Sequence, residues 1–257
     1  MAIDFTIDGG VAVITINRPE VHNAMDAEHY DLLSKAWIRV RDDPQVRTAI
    51  ITGAGEKSFC AGADLRSYLS KPLPLGEMWL TQREQLLNRG LEVWKPIIAA
   101  VNGYCLGGGS TLLFATDIRI ASENATFALT EVKRGLVPGN GGTQRILSQL
   151  PYAIGMQYLM TGDSMDARTA AHWGLVNQVV PQADLMATAM AMAKRIAANA
   201  PLAVQASKEL AIRAGDVDLA TGLRMEQVMN RLLWTSDDVQ EGVKAFAEKR
   251  PPNFQGK

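Results

Sequence analysis

The sequence predicts a mixed α/β fold in which short buried strands alternate with helices and glycine-rich turns. Residues 11–16, 48–52 and 97–101 read VAVITI, TAIIT and IIAAV, and each apolar run is bounded by glycine, proline or polar residues. Such runs between turn-forming residues are typical of buried strands. A helix is predicted between the first two runs, and the order strand, helix, strand favours parallel strands joined by crossovers.

The first helix is predicted to begin near Asp26 and to end at Asp42-Asp43-Pro44. One face of this helix carries apolar and aromatic residues at helical spacing: Tyr30, Leu33, Trp37 and Val40. Two further short runs, at 117–121 and 176–180, predict additional strands of the same core.

Helix-forming residues dominate the C-terminal part of the chain. Helices are predicted at 183–199, 201–213, 216–234 and 237–248. The third has a broader apolar face than one solvent-facing helix requires, made of Leu219, Leu223, Val228, Met229, Leu232 and Leu233. This face indicates packing against another subunit.

Composition and charge exclude several classes of protein. The chain has 257 residues, 47% of them hydrophobic, which is enough for a large core that needs no disulfides or metal. Its net charge is −1 and its basic residues are scattered, so no nucleic-acid partner is expected, and only Lys249-Arg250 would support RNA binding. The sequence shows neither a secretory signal nor an uninterrupted membrane-spanning run. A protein of the cytoplasm without a membrane partner is expected.

The cysteines and histidines give no sign of a metal centre. Cys60 and Cys105 lack C-x-x-C spacing, and His22, His29 and His172 are scattered along the chain. The sequence therefore predicts neither a zinc site nor a disulfide framework, and no Ser-His-Asp set.

Residues 58–65, SFCAGADL, form a run of small residues between a strand and a predicted helix. Small residues let a ligand approach the main chain, and free N–H groups at a helix start can bind an anion or an oxyanion. The alternative is a tight turn in which Asp64 caps the helix.

Residues 102–111, NGYCLGGGST, repeat this arrangement with three successive glycines. Each glycine weakens a helix by about 1 kcal/mol relative to alanine, so something must offset the cost. Close helix packing would do so, and so would a main-chain amide aimed at a substrate oxygen. The spacing matches neither a Walker phosphate loop nor a dinucleotide fingerprint.

Residues 127–145, FALTEVKRGLVPGNGGTQR, place Glu131 before a bend rich in glycine and proline. Apolar neighbours could desolvate the carboxylate and raise its pKa toward a range useful for proton transfer. For a glutamate taken alone, the alternative is a solvated or capping residue.

Together, the three segments resemble the enoyl-CoA hydratase/isomerase (crotonase) family. The resemblance runs from Ile16-Asn17-Arg18-Pro19 to the tail at 245–250 and includes Trp173-Gly174-Leu175-Val176-Asn177. It implies a crotonase-like spiral of β-β-α units in residues 1–197 and a helical trimerisation region in 198–257. Homotrimers, often paired into hexamers, are expected.

The resemblance also implies functional residues. It assigns an oxyanion hole to the amides of Ala63 and Gly108 and proton transfer to Glu131. The substrate would be an acyl-CoA thioester rather than a permanently bound cofactor, held by Ala61, Ala63, Asp64 and Leu65 and, from a neighbouring subunit, by Phe246 and Lys249. Lys249 could instead be an ordinary solvated lysine.

A helix predicted near residues 76–94 corresponds to the part of the family pattern that lines the acyl pocket. Its large apolar residues are Trp79, Leu80, Leu86, Leu87 and Trp94. They either set the length of the acyl chain or pack in the core.

One departure from the family pattern concerns the reaction itself. Hydratases of the family use two glutamates, and the first position here is Thr111, whose hydroxyl is no base at neutral pH. Glu131 would act alone, which is enough for an isomerase that shifts a double bond. Hydration by a lyase, the commoner reaction in the family, would then run at reduced efficiency or use a second carboxylate that the sequence does not reveal. A non-catalytic acyl-CoA-binding scaffold is the third alternative.

Overall fold

The computed structural model of the protein describes residues 2–70 and 85–257. Its strands form a six-stranded sheet and a four-stranded sheet, in the orders β1-β2-β3-β5-β7-β10 and β4-β6-β8-β9. The strands are β1 Ile3–Asp8, β2 Val11–Ile16, β3 Thr48–Gly53, β4 Ser58–Cys60, β5 Ile97–Val101, β6 Tyr104–Leu106, β7 Ile118–Ser122, β8 Thr126–Ala128, β9 Met165–Asp166 and β10 Gln178–Val180. Pairing is parallel except for β1 with β2 and β8 with β9.

The described part of the chain contains ten α-helices. They are α1 Ala27–Asp42, α2 Leu65–Ser70, α3 Gly108–Leu113, α4 Gly142–Gln149, α5 Tyr152–Thr161, α6 Ala167–His172, α7 Leu185–Ala197, α8 Pro201–Arg213, α9 Leu219–Leu233 and α10 Asp237–Glu248. Short 3₁₀ turns cover Pro19–Val21, Leu87–Arg89, Glu131–Arg134 and Gln182–Asp184. Within residues 2–70 and 85–257, no helix combines the length and apolarity needed to cross a bilayer.

The chain winds as a spiral in which each turn adds one strand to each sheet. β3, β5 and β7 lie in the large sheet, and each is followed by a short strand of the small sheet, β4, β6 or β8. A helix or a 3₁₀ turn follows each of those short strands, so their carboxyl ends meet at one edge of the small sheet. The three segments singled out in the sequence lie at this edge.

Two apolar clusters cover the faces of the large sheet. The main cluster includes Ile14, Ile51 and Ala99 and extends to α1 through Trp37. The second places the other strand face, including Ile50 and Ile98, against α7. α7 presents small residues one turn apart, Ala189, Ala193 and Ala197, which allow the helix to approach the sheet closely. Burial on both faces explains why the parallel strands read as continuous apolar runs.

Most of the predicted elements are confirmed with shifts of a few residues at their ends. The helices predicted at 201–213 and 237–248 coincide with α8 and α10. The short strands β4, β6 and β8 were not predicted, because three residues are too few to show a periodicity. α4, α5 and α6 were also missed.

The helix predicted near residues 76–94 is wrong for residues 85–94, where the structure has the 3₁₀ turn Leu87–Arg89 and otherwise no regular secondary structure. Gly90 ends this turn with a φ of +93°, a conformation that interrupts a helix. Trp79 and Leu80 lie outside the described residues. Leu86 and Leu87 belong to the main core, and the Arg213 guanidinium stacks over the Trp94 ring at 5.1 Å.

Candidate active site

The loop after β4 is held by a single parallel bridge between Met25 and Ala63. The Met25 amide donates to the Gly62 carbonyl at 2.8 Å, and the Met25 carbonyl accepts from the Asp64 amide at 2.8 Å. Because the bridge uses the residues on either side of Ala63, the N–H of Ala63 itself points away from Met25. Within residues 2–70 and 85–257, this amide donates to no main-chain acceptor.

The start of α3 lies directly beside this loop. A β-carbon on Gly62 would lie 2.8 Å from the Gly108 nitrogen, and one on Gly108 would lie 3.5 Å from the Ala63 nitrogen. The Gly108 amide opens α3 and therefore has no partner within the helix. Glycine at both positions lets two main-chain amides approach each other as no pair of larger residues could.

Gly109 completes the close approach between α3 and β4. A β-carbon there would lie 2.2 Å from the Cys60 carbonyl oxygen, so the glycine triplet packs main chain against main chain. Ser110 Oγ bonds to the carbonyls of Cys105 and Ala128, at 2.7 and 2.9 Å, which ties α3 to β6 and β8. Of the two uses considered for the triplet, close packing is confirmed, and an amide aimed at a substrate oxygen stays a prediction.

Glu131 opens the 3₁₀ turn that follows β8, and its carboxylate lies against Gly107. A β-carbon on Gly107 would be 3.4 Å from Oε1 and 3.9 Å from Oε2 of Glu131. The Oε2 atom is buried and has no hydrogen-bond partner among residues 2–70 and 85–257. Burial raises the pKa of this carboxyl above its ordinary value, and the Arg134 charge lowers the pKa only in part.

Thr111 lies one turn after Gly107 on α3 and is buried. Its hydroxyl donates to the Gly108 carbonyl at 3.0 Å and accepts from Asn88 Nδ2 at 3.2 Å. The hydroxyl at the position of the first family glutamate is therefore engaged with the protein. Asn88 was not singled out in the sequence, where nothing distinguishes it from other polar residues.

Tyr30 is a second residue that the sequence did not assign to the site. Its hydroxyl oxygen lies 3.4 Å from the place of a Gly108 β-carbon, beside the two amides. The sequence placed Tyr30 on the apolar face of α1. A hydroxyl is unusual on an apolar helix face, and this was the feature of the sequence that could have assigned Tyr30 to the site.

Asp64 is engaged in an ion pair at the start of α2. Its Oδ2 accepts from the Arg18 guanidinium at 2.9 Å, and its Oδ1 accepts from the Arg66 amide at 3.1 Å. The hydrogen bond from Arg18 holds the pKa of Asp64 below its ordinary value. Asp64 therefore caps the start of α2, which is the alternative considered for this residue in the sequence.

The remaining predicted site residues lie near the start of α2 and at the C-terminal end of α10. Ala61 donates its amide to the His22 carbonyl at 3.0 Å, and Leu65 opens α2 with its side chain partly exposed. Phe246 is 87% exposed on α10, and Lys249 ends that helix with a φ of +54°. No group of three metal-binding side chains occurs in the part of the chain that the structure describes.

The spiral fold, with two converging amides and a carboxylate beside them, defines a crotonase-fold protein. The sequence model of the family described as enoyl-CoA hydratase/isomerase matches residues 6–257. The chain belongs to the enoyl-CoA hydratase/isomerase family, as the sequence motifs predicted, and is an enzyme of that family.

Curated relatives of the same length are named hydratases and dehydratases. The chain is 41% identical over 256 residues to the (E)-benzylidenesuccinyl-CoA hydratase of Thauera aromatica, with 100% of each chain covered. It is 40% identical over 261 residues to the carnitinyl-CoA dehydratase of Proteus mirabilis, covering 100% of this chain and 99% of the relative.

Solved structures confirm the predicted fold class. The enoyl-CoA hydratase of Bacillus anthracis superposes with a TM-score of 0.92 at 34% identity, over 100% of both chains. The enoyl-CoA hydratase of Mycobacterium tuberculosis gives a TM-score of 0.89 at 35% identity, over 99% of both chains.

Proposed function

We propose that this enzyme adds water reversibly to the double bond of a 2-enoyl thioester of coenzyme A, with Glu131 as acid and base. The observation that carries the proposal is the half-buried Glu131 carboxylate beside the amides of Ala63 and Gly108, with an Oε2 atom that no described residue hydrogen-bonds. The hydratase and dehydratase names of full-length relatives at 41% and 40% identity support the same reaction.

The two amides act on the thioester oxygen. When a nucleophile adds to Cβ of the enoyl group, negative charge develops on this oxygen as the enolate forms. Two preorganised donors would then contribute about 3 to 4 kcal/mol each to transition-state stabilisation. The free N–H groups of Ala63 and Gly108 supply these donors without a change in the protein.

Glu131 moves the proton. Its raised pKa brings the carboxylate closer to the pH at which it both accepts and returns a proton efficiently. One carboxylate is sufficient in a stepwise addition, because the proton taken from water is the one delivered to Cα.

Coenzyme A is held through the main chain around Ala61, Ala63, Asp64 and Leu65. The Asp64 carboxylate is already paired with Arg18, so its contribution comes from the backbone. The substrate arrives as a thioester, and the reaction needs no permanently bound cofactor.

The C-terminal helices mediate assembly into a homotrimer or a dimer of trimers. Apolar side chains are exposed on α9 and α10, notably Leu219, Leu223, Leu232, Val243 and Phe246. Residues 1–197 form the spiral that carries the site, and residues 198–257 supply the contact between subunits. Phe246 and Lys249 would then reach the coenzyme A site of a neighbouring subunit.

A double-bond isomerase is the second candidate. The observation that favours it is Thr111, whose hydroxyl is bound to Gly108 and Asn88 and which offers no second carboxylate. Transfer of one proton between two carbons needs Glu131 alone.

One experiment separates these alternatives. A panel of 2-enoyl and 3-enoyl-CoA thioesters is incubated in D₂O with the wild type and with Glu131→Gln, and products and deuterium are read by NMR. We expect deuterium at Cα and an added hydroxyl at Cβ, both lost in the variant. A moved double bond without hydroxyl would establish the isomerase, and no exchange on a thioester that binds would leave a scaffold.

A further inference from the structure

A hydratase with a single glutamate must hold its water by other means. Thr111 occupies the position of the missing glutamate, but its hydroxyl proton is committed to the Gly108 carbonyl at 3.0 Å. Its methyl group is fixed as well, since a β-carbon on Gly142 would lie 2.9 Å from Thr111 Cγ2. Thr111 therefore serves as a fixed support for another group.

That group is Asn88. Its Nδ2 donates to Thr111 Oγ1 at 3.2 Å, and its side-chain oxygen Oδ1 is buried and finds no hydrogen-bond partner in the part of the chain that the structure describes. The residue is only 6% exposed. A buried acceptor without a partner is costly, and native proteins retain one where a water or a ligand completes it.

The main chain of Asn88 is anchored to the bend that follows Glu131. Its carbonyl accepts from the Arg145 guanidinium at 3.2 Å, and the same nitrogen donates to the Asn140 carbonyl at 3.0 Å. Arg89, the next residue, donates to Asn140 Oδ1 at 2.8 Å. Asn88 thus has a fixed place relative to the segment that carries the catalytic carboxylate.

Glu131 and Asn88 flank the same face of α3. Glu131 lies against Gly107, whose carbonyl accepts from the Thr111 amide at 3.1 Å, and Asn88 donates to the Thr111 hydroxyl at 3.2 Å, so both side chains adjoin the first turn of α3. A water that donates at about 2.8 Å to each of two acceptors joins atoms about 4 to 5 Å apart. Both acceptors, Glu131 Oε2 and Asn88 Oδ1, are buried and have no hydrogen-bond partner among the described residues.

Building on the proposed function, we propose that Asn88 Oδ1 and Glu131 Oε2 together hold the attacking water, so that Asn88 replaces the second carboxylate of a hydratase. With both hydrogens donated, a lone pair of the water oxygen remains free for Cβ. The oxygen bonds to Cβ, one O–H bond breaks toward Glu131, and the double-bond electrons move to the thioester enolate. The enolate then takes that proton from Glu131 at Cα.

The test compares two reactions of the same enzyme. Hydration of a 2-enoyl-CoA needs the water, whereas hydrogen–deuterium exchange at Cα of the saturated thioester of equal chain length needs only Glu131 and the two amides. The variants are Asn88→Ala, Asn88→Asp, which keeps an acceptor, and Gln149→Ala. Gln149 is a matched control, since its Oε1 also lacks a partner while its Nε2 caps the Phe114 carbonyl at the other end of α3. Circular dichroism checks the fold of each variant.

We expect Asn88→Ala to lose about tenfold or more in kcat for hydration, the worth of roughly one hydrogen bond, with exchange within about twofold of wild type. Asn88→Asp should hydrate faster than Asn88→Ala, and Gln149→Ala should match the wild type. An equal loss of both reactions in folded Asn88→Ala and Asn88→Asp would overturn the proposal, as would unchanged hydration. Absence of both reactions in the wild type would instead overturn the proposed function.

Discussion

The Glu131 carboxylate lies directly against Gly107, and a β-carbon on that glycine would be in van der Waals contact with Oε1 at 3.4 Å. Gly107 also has a φ of 52° and a ψ of −116°, which glycine adopts far more readily than any other residue. The glycine triplet therefore does more than let α3 pack on β4. Its first member has a conformation that favours glycine and lies against the Glu131 carboxylate.

Gly107→Ala should reduce both activity and stability. Backbone strain at this position is expected to cost about 1 to 3 kcal/mol of unfolding free energy. Because the strained residue lies against the Glu131 carboxylate, a backbone shift that relieves the strain should also move Glu131 and lower kcat about tenfold or more, since proton transfer depends on position. Urea denaturation and hydration kinetics measure the two effects.

Gly174→Ala is the matched control for that variant. Gly174 has a φ of +79° and no atom within 4 Å of its β-carbon position, so strain is added without a collision. It should lose stability but keep kcat. If both variants lose kcat equally, the contact between Gly107 and Glu131 is irrelevant to catalysis.

The fall in the rate of hydration at acid pH should reflect protonation of Glu131. Burial raises the pKa of this carboxyl above the ordinary glutamate value of 4.5, and water addition requires the ionised form. The rate of hydration should therefore fall as pH decreases through a midpoint above 4.5. In Glu131→Gln the residual rate should be about 10² to 10⁴ lower and should lack this fall at acid pH. A midpoint below 4.5 in the wild type would contradict the assignment.

The same carboxyl should make Glu131→Gln more stable than the wild type at pH 7. Because the pKa of Glu131 is raised in the folded state, the folded protein binds this proton more tightly than the unfolded chain does. The free energy of unfolding therefore decreases as pH rises through the folded-state pKa of Glu131. Glutamine removes this loss. Thermal unfolding of both proteins between pH 4.5 and 8 should show the advantage of the variant shrinking toward low pH. A constant difference across this range would argue against a buried, ionised Glu131.

Assembly should depend on the exposed face of α9. Leu232 is 62% exposed there, and Leu232→Asp should shift the protein toward monomers, measured by light scattering after gel filtration. Met160 on α5 is 63% exposed, and Met160→Asp is the control. Equal assembly of the Leu232 variant and the wild type would place the contact elsewhere.

The sequence by itself determined the family, the long parallel strands and the C-terminal helices. Buried parallel strands show as continuous apolar runs, and long helices show as sustained periodicity, so both are visible without coordinates. The motif residues around Gly62, Gly108 and Glu131 were visible for a related reason. Where two main-chain segments approach each other closely, the position requires glycine, and that glycine is visible in the sequence.

Only the tertiary structure decided how the site is completed. The strands β4, β6 and β8 are too short for periodicity, yet they set the edge at which the three motifs meet. Asn88 lies 23 positions from Thr111, and nothing local marks it as the partner of that hydroxyl. A hydrogen bond across that distance depends on how the spiral brings its turns together, and packing between turns leaves no local pattern in the sequence.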